Sequence, residues 1–344
     1  MKKHISYPKI QQFRNTVSDV NRAATFIGVD GDGNAIYDQM AKKPTVTFKG
    51  TVKLHGTNAS VCFNSNNGFW VQSRKNIITP DKDNAGFAFF AESNKVQFCA
   101  LLDEVINENQ IDTKGFTVSI YGEWAGKGVQ KAVGISQLPK AFYIFGVKVS
   151  KPGDSDFKSY WLPSSHLRNE ECGIFNVEDY QTFSVDVDFN MPQLAINEFT
   201  KITEAVEKEC PISKALGIDG GVGEGVVWAG EYKDSIYRFK VKGEKHSSSK
   251  VKTLASVDVE KLKTVQDFVE YAVTKSRFDQ AIENVFAGDN LNTKGIGRLI
   301  RWTINDIIAE ESDTMNKNNL EPKDVNKYIS GKVREMFFEE MDRY

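Results

Sequence analysis

The sequence predicts an α+β protein, a β-rich body followed by a small all-helical C-terminal domain. Two observations carry this reading: short β-prone segments recur from Pro44 to about Lys252, and the pattern turns helical near Ser256. The length of 344 residues suits two domains. The expected division is 1–250 and 251–344, with His246–Lys252 and its three serines at the boundary.

The strands are expected, in order, at Thr45–Val52, Ala59–Phe63, Phe69–Ser73, Phe116–Tyr121, Phe142–Val149, Gly225–Trp228 and Ile236–Val241. Gly and Asn clusters separate them. Ala88–Asn107 and Leu194–Lys208 carry apolar residues at helical intervals. In the tail, Val259–Lys275 reads as one helix with Leu262, Val265, Phe268, Val269 and Ala272 on one face. Phe278–Phe286, Gly297–Glu310 and Asp324–Met341 read as three more, the last capped by Asp324 after Pro322.

Composition excludes several classes. Apolar residues make up 40% and charged residues 26%, which rules out a long disordered chain. No run of eighteen apolar residues occurs, so neither a transmembrane helix nor a membrane partner is expected. The first fifteen residues lack the apolar stretch of a secretory signal. The net charge of -2 means that any polyanion must meet a local basic patch. The four cysteines, Cys62, Cys99, Cys172 and Cys210, form no C-x-x-C pair and suit reduced thiols in the cytoplasm.

The chemistry is concentrated in a few places. Lys53-Leu54-His55-Gly56-Thr57-Asn58 lies between two expected strands, where a lysine beside a glycine turn can present its amine to a phosphate. Such an amine is a nucleophile once neighbouring cations or desolvation make it neutral. The bland alternative is a surface hairpin with a solvated lysine. Downstream, Tyr121-Gly122-Glu123 is expected to end a strand with a carboxylate, and Phe142–Val147, with Phe145, offers an aromatic strand. Glu224 precedes a strand, and Lys240 and Lys242 share one strand face. Each alone reads more readily as an exposed turn glutamate or a solvated edge strand. Together, two cations on one face, two carboxylates and a separate lysine make a site for a magnesium nucleotide.

The order of these segments resembles the covalent nucleotidyltransferases, the polynucleotide ligases and mRNA capping enzymes. Five motifs, Lys53–Gly56, Tyr121–Glu123, Phe142–Val147, Glu224–Val227 and Lys240–Lys242, follow the family order. His55, Asn58 and the run Tyr121–Lys131 are similar to the nick-sealing bacteriophage RNA ligases, as is a helical tail where other members have a β-barrel. Two positions depart: Val52 stands where those ligases often have a glutamate that reads adenine, and Gly146 where they often have an aspartate.

The resemblance implies an adenylyltransferase domain of antiparallel β-sheets flanked by helices, and an RNA-binding helical tail. It implies ATP and Mg²⁺ (or Mn²⁺) as cofactors. The substrate would be RNA with 3′-hydroxyl and 5′-phosphate ends, in the form of a nicked duplex, and the enzyme a cytoplasmic monomer. Lys53 would be the nucleophile, with His55 acting in the first step. Lys240 and Lys242 would hold the α-phosphate, Glu123 the ribose, and Glu224 the metal. Leu54 and Phe145 would line the nucleotide. Asn58 and Arg74 would touch the nucleic-acid ends, and the cluster Lys294, Arg298 and Arg301 would grip RNA. The tail has more acidic than basic residues, so a solvated face is the alternative for that cluster. Beside RNA ligation stand a DNA ligase, a GTP-using capping enzyme and a catalytically inactive nucleic-acid-binding relative.

Overall fold

The computed structural model describes residues 2–38, 40–83, 85–154, 156–246, 265–286 and 291–341. The elements run α1 (Phe13–Thr25), β1 (Phe26–Val29), β2 (Ala35–Tyr37), β3 (Thr45–Lys53), β4 (Thr57–Asn64), β5 (Gly68–Ser73) and β6 (Ile77–Ile78). Then come α2 (Phe87–Ser93), α3 (Lys95–Glu108), β7 (Thr117–Ala125), β8 (Ala141–Ser150), β9 (Tyr160–Leu162), β10 (Ile174–Asn176) and β11 (Thr182–Asp188). They are followed by α4 (Ile196–Lys208), α5 (Pro211–Ala215), β12 (Gly225–Tyr232) and β13 (Ser235–Lys242). The C-terminal helices are α6 (Val265–Ala272), α7 (Lys275–Phe286), α8 (Ile296–Glu310), α9 (Ser312–Lys317) and α10 (Pro322–Met341). The architecture is α+β, with mainly antiparallel sheets, flanking helices and a helical C-terminal region.

The chain divides into two compact units. The first comprises Met1–Ile10, Lys49–Ser184 and Ala205–Trp228, and the second Gln11–Phe48, Val185–Glu204 and Ala229–Tyr344. The boundary expected near residue 250 falls within 247–264, outside the described residues.

The first unit is built on a seven-stranded sheet of order β10-β8-β7-β4-β5-β6, with β9 also paired to β8. Its strands pair antiparallel except β10 with β8, which are parallel. Alternation in β4 and β7 sends Ala59, Val61, Val118 and Ile120 to one face, where they pack with Phe87, Phe98, Leu101, Leu102 and Val105 of α2 and α3. On the other face Ile5 packs on Cys62 and Trp70. The N-terminal segment is fixed there because the Ile5 carbonyl accepts from Tyr121 Oη at 2.7 Å and the Ile5 N–H donates to Gln72 at 3.0 Å. Burial pushes the Cys62 thiol up to about 12, so it is a packing group rather than a nucleophile.

A four-stranded sheet has the order β11-β3-β12-β13. The alternating sequence of β3 buries Val46, Phe48 and Val52. Lys233 and Asp234, both left-handed at φ 48 and 56, turn the chain from β12 into β13. In the second unit, Phe13 of α1 packs on Phe199 and Phe239. The C-terminal helices have their own core, which includes Phe268, Phe278, Leu299, Ile307, Val325, Ile329, Val333 and Phe337.

Several expected boundaries shift for local reasons. The helix expected over Ala88–Asn107 is two, broken at Asn94, whose side-chain amide donates to the Phe90 carbonyl at 2.9 Å. The helix expected over Val259–Lys275 is described only from Val265, and it stops at Ala272. There Thr274 begins a new helix by accepting the Arg277 N–H on Oγ1 at 3.2 Å. The last helix starts at Pro322 rather than Asp324. Pro322 takes the first helical position, and Asp324 caps from inside by accepting the Glu321 N–H at 2.8 Å. Strand β7 does not end at Tyr121 but runs on to Ala125, through Glu123.

Candidate active site

Lys53 is the last residue of β3, and Leu54, His55 and Gly56 link it to β4. The Lys53 ammonium reaches Glu224 Oε2 at 2.6 Å and the Leu54 carbonyl at 3.3 Å. His55 Nδ1 lies 3.3 Å from the same Glu224 oxygen. Glu224, which directly precedes β12, is 2% exposed, so this carboxylate is withdrawn from water and held by side chains of the Lys53 link.

The second carboxylate, Glu123, comes from the middle of the large sheet. Its Oε1 accepts the Gly56 N–H at 3.0 Å. Gly56 is needed for that approach, because a Cβ there would lie 2.4 Å from the Trp124 carbonyl oxygen and 3.0 Å from Glu123 Cγ. Gln130 Nε2 donates to the Gly56 carbonyl at 3.4 Å, so the link is tied on both sides of its glycine. Burial pushes Glu123 up to about 7; Lys53 pulls it down, Glu224 pushes it further up, and His55 and the Gly56 N–H pull it down.

Asn58 stands directly opposite Glu123 across the β4–β7 pair. Ala59 faces the helices, so Asn58 points to the other side of the sheet. Lys53, His55, Glu123 and Glu224 therefore converge in the first unit, a cation, an imidazole and two carboxylates around one linking loop.

The family model for RNA ligase matches residues 47–242, more than half of the chain. The chain belongs to the RNA ligase family. Solved structures of Naegleria gruberi RNA ligase are similar to it. The form with PPi shares 15% identity at a TM-score of 0.40, covering 70% of this chain and 56% of that one. A mutant form with AMP and Mn shares 14% at 0.40, and another with ATP and Mn 15% at 0.41, each with the same coverage. The chain thus spans 56% of the length of those ligase chains. A search of curated proteins found no match.

The other expected site residues of this RNA ligase family member fall as follows. Phe145 is the extra residue of a β-bulge, since Tyr121 pairs with Gly146 and Gly122 with Ile144. Bulges re-aim side chains, and the Phe145 ring meets Tyr7 edge-on with centroids 5.2 Å apart. The two departures from the ligase pattern have local explanations. Val52 is buried in β3, and a Cβ on Gly146 would lie 3.1 Å from the Trp161 ring. Arg74 is exposed just past β5, whose Ser73 pairs with Ala59. Lys240 lies on β13 with its ammonium on Glu310 Oε1 of α8 at 2.9 Å, and Lys242 ends the strand. Lys294, Arg298 and Arg301 are exposed.

Sequence reading did not anticipate four features: His55 facing Glu224, the Lys53 bond to the Leu54 carbonyl, the Gln130 tie, and Tyr7 beside Phe145. Gln130 belongs to the run that carried the ligase resemblance, which was the available signal for it. Tyr7 lies before the first motif, and no sequence pattern connects it to Phe145.

Proposed function

We propose that this chain is an ATP-dependent RNA ligase that joins 3′-hydroxyl and 5′-phosphate RNA ends at nicks in duplexes, in RNA repair. The convergence of Lys53, His55, Glu123 and Glu224, inside the stretch that the family model matches, carries this reading.

The chemistry follows from the residues. A neutral Lys53 Nζ attacks the α-phosphorus of ATP; the N–P bond forms, the bond to the leaving oxygen breaks and pyrophosphate departs. The RNA 5′-phosphate oxygen then attacks the lysyl-AMP phosphorus and frees Lys53. Finally the 3′-hydroxyl attacks the adenylylated 5′-phosphate, loses its proton and expels AMP. Each displacement depends on alignment and on charge stabilisation at phosphorus.

In the resting site the Lys53 ammonium is engaged by Glu224, so attack requires that this pair open and the proton leave. His55, on the same carboxylate oxygen, is placed to hold Glu224 as that happens. Glu123 keeps Gly56 close with one oxygen, and its other is assigned to the ribose hydroxyls. Lys240 and Lys242 are assigned to the α-phosphate, Phe145 to the base, and Leu54 to the nucleotide wall. The carboxylates of Glu224 and Glu123 are hard oxygen donors that fit Mg²⁺ or Mn²⁺, with Glu224 the assigned ligand. Such an ion, when bound, supplies positive charge beside the phosphoryl oxygens. Asn58 and Arg74 are assigned to the nucleic-acid ends, and the cluster Lys294, Arg298 and Arg301 to the RNA backbone. On this reading residues 1–250 are the adenylyltransferase domain and 251–344 an RNA-binding domain of a cytoplasmic monomer.

A panel of nicked duplexes in RNA, DNA and mixed strands tests the substrate. With ATP and Mg²⁺, sealing of the all-RNA nick is expected. Sealing of the all-DNA nick alone, or of no duplex, would contradict the proposal.

A further inference from the structure

The acidic turn where α8 passes into α9 makes contacts that the proposed chemistry does not use. Glu310 Oε1 accepts from Lys240 Nζ at 2.9 Å, with the lysine side chain 20% and the glutamate 18% exposed. One residue on, Glu311 is 1% exposed and accepts from Arg14 of α1 at 3.3 Å and from Tyr271 Oη at 3.0 Å. Arg14 also bonds Asp313 at 2.9 Å, and Asn15 donates to Asp313 at 3.1 Å. Buried Arg277 approaches Glu311 Oε1 at 3.6 Å and bonds Asp306 at 2.8 Å. Three acids within four residues are therefore held by cations from β13, α1 and α7. Two of the four pairings involve Arg14, which the catalytic scheme does not need.

Lys240 differs. The proposed function assigns it to the α-phosphate of ATP, and a lysine ammonium is a compact point charge with three donors on a flexible stem. A carboxylate at 2.9 Å competes with a phosphate for those donors and that charge. The deeper Arg14–Glu311–Asp313 contacts hold the turn, and so keep Glu310 in reach of Lys240.

We propose that Glu310 is an autoinhibitory counter-ion for Lys240, which ATP must displace, so that nucleotide binding loosens the α8–α9 turn. This rests on the ATP-dependent reading. Exchange of partners costs ATP affinity in the resting enzyme and couples nucleotide occupancy to the C-terminal helices. Arg14, Glu311 and Asp313 act as positioning residues.

The test uses the full chain and its own labelling by ATP with Mg²⁺. If the wild-type protein takes no label, the ATP-dependent reading fails, whatever Glu310 does. If it takes label, Glu310→Gln is expected to lower the KM for ATP about twofold to fivefold, the scale of a partly exposed ion pair. The melting temperature of the variant is measured alongside. A folded variant whose KM is unchanged or raised would overturn the proposal. A second measurement needs no variant. Hydrogen exchange of peptides spanning Trp302–Lys317 is followed in wild-type protein with and without Mg²⁺ and α,β-methylene-ATP, in which the α-phosphate cannot be released from its neighbour by attack. Faster exchange with the nucleotide is expected. Unchanged or slower exchange would overturn the coupling.

Discussion

Lys53 and Lys240 each face a carboxylate, but the two carboxylates come from different parts of the chain. Glu224 is 2% exposed, shares its oxygen with His55, and lies with Lys53 inside residues 47–242 that the RNA ligase family model covers. Glu310 is 18% exposed and stands on α8, beyond that stretch. The first pair belongs to the unit that carries both site carboxylates. The second ties a strand lysine to a helical bundle with its own core. One lysine is thus held by its own site, and the other by a removable neighbour. Loss of the first carboxylate removes a site component, whereas loss of the second removes a competitor for the Lys240 ammonium.

The largest expected effect breaks the first pair. Glu224→Ala is expected to slow lysyl-AMP formation at least about tenfold, since a charge-stabilising contact at phosphorus is commonly worth a few kcal/mol. Single-turnover labelling with saturating ATP measures it. A wild-type rate would erase the contrast between Glu224 and Glu310, because both would then be dispensable partners.

A smaller effect sharpens the electrostatics on the Glu224 side. Glu123 is pushed up to about 7 from an ordinary value of 4.5, so the folded protein holds its proton more tightly than the unfolded chain does. That contribution is fully present below the unfolded value and is lost as pH rises through about 7. Glu123→Gln carries no such proton. Its melting temperature relative to wild type is therefore expected to climb as pH goes from about 5 to about 8. Calorimetric melts across that window read the difference. A pH-independent difference would mean that Glu123 ionises as an ordinary carboxylate.

Much of this was legible in the sequence, for identifiable reasons. The alternation in Thr45–Val52 and the turn residues around Lys53–Asn58 mark β3, the link and β4, because buried strand faces impose a period of two. Gly56 stood out by its place in the motif, but the close approach to Trp124 that requires it is a tertiary fact. Helix α1 was not anticipated. Its buried face carries Phe13, Thr16 and Val20 in a polar sequence, and it is packing of Phe13 on Phe199 and Phe239 that holds it. The helix breaks at Asn94 and Thr274 come from side-chain bonds that periodicity does not report. The sequence reading put Glu123, Glu224, Lys240 and Lys242 in one site with Lys53, and named cations rather than a carboxylate as the neighbours that tune its amine. The structure puts a carboxylate against it, because Glu224 is 171 residues away in the chain and no local pattern links the two. The same distance problem hid the Lys240–Glu310 pair.

The central claim is that Lys53 forms the covalent bond to the nucleotide, and mapping that bond tests it most directly. The full chain is incubated with labelled ATP and Mg²⁺, digested, and the modified peptide sequenced by mass spectrometry. The account predicts an acid-labile AMP on Lys53 in the wild-type protein and none in Lys53→Ala. AMP on any other residue, or label persisting in Lys53→Ala, would contradict it.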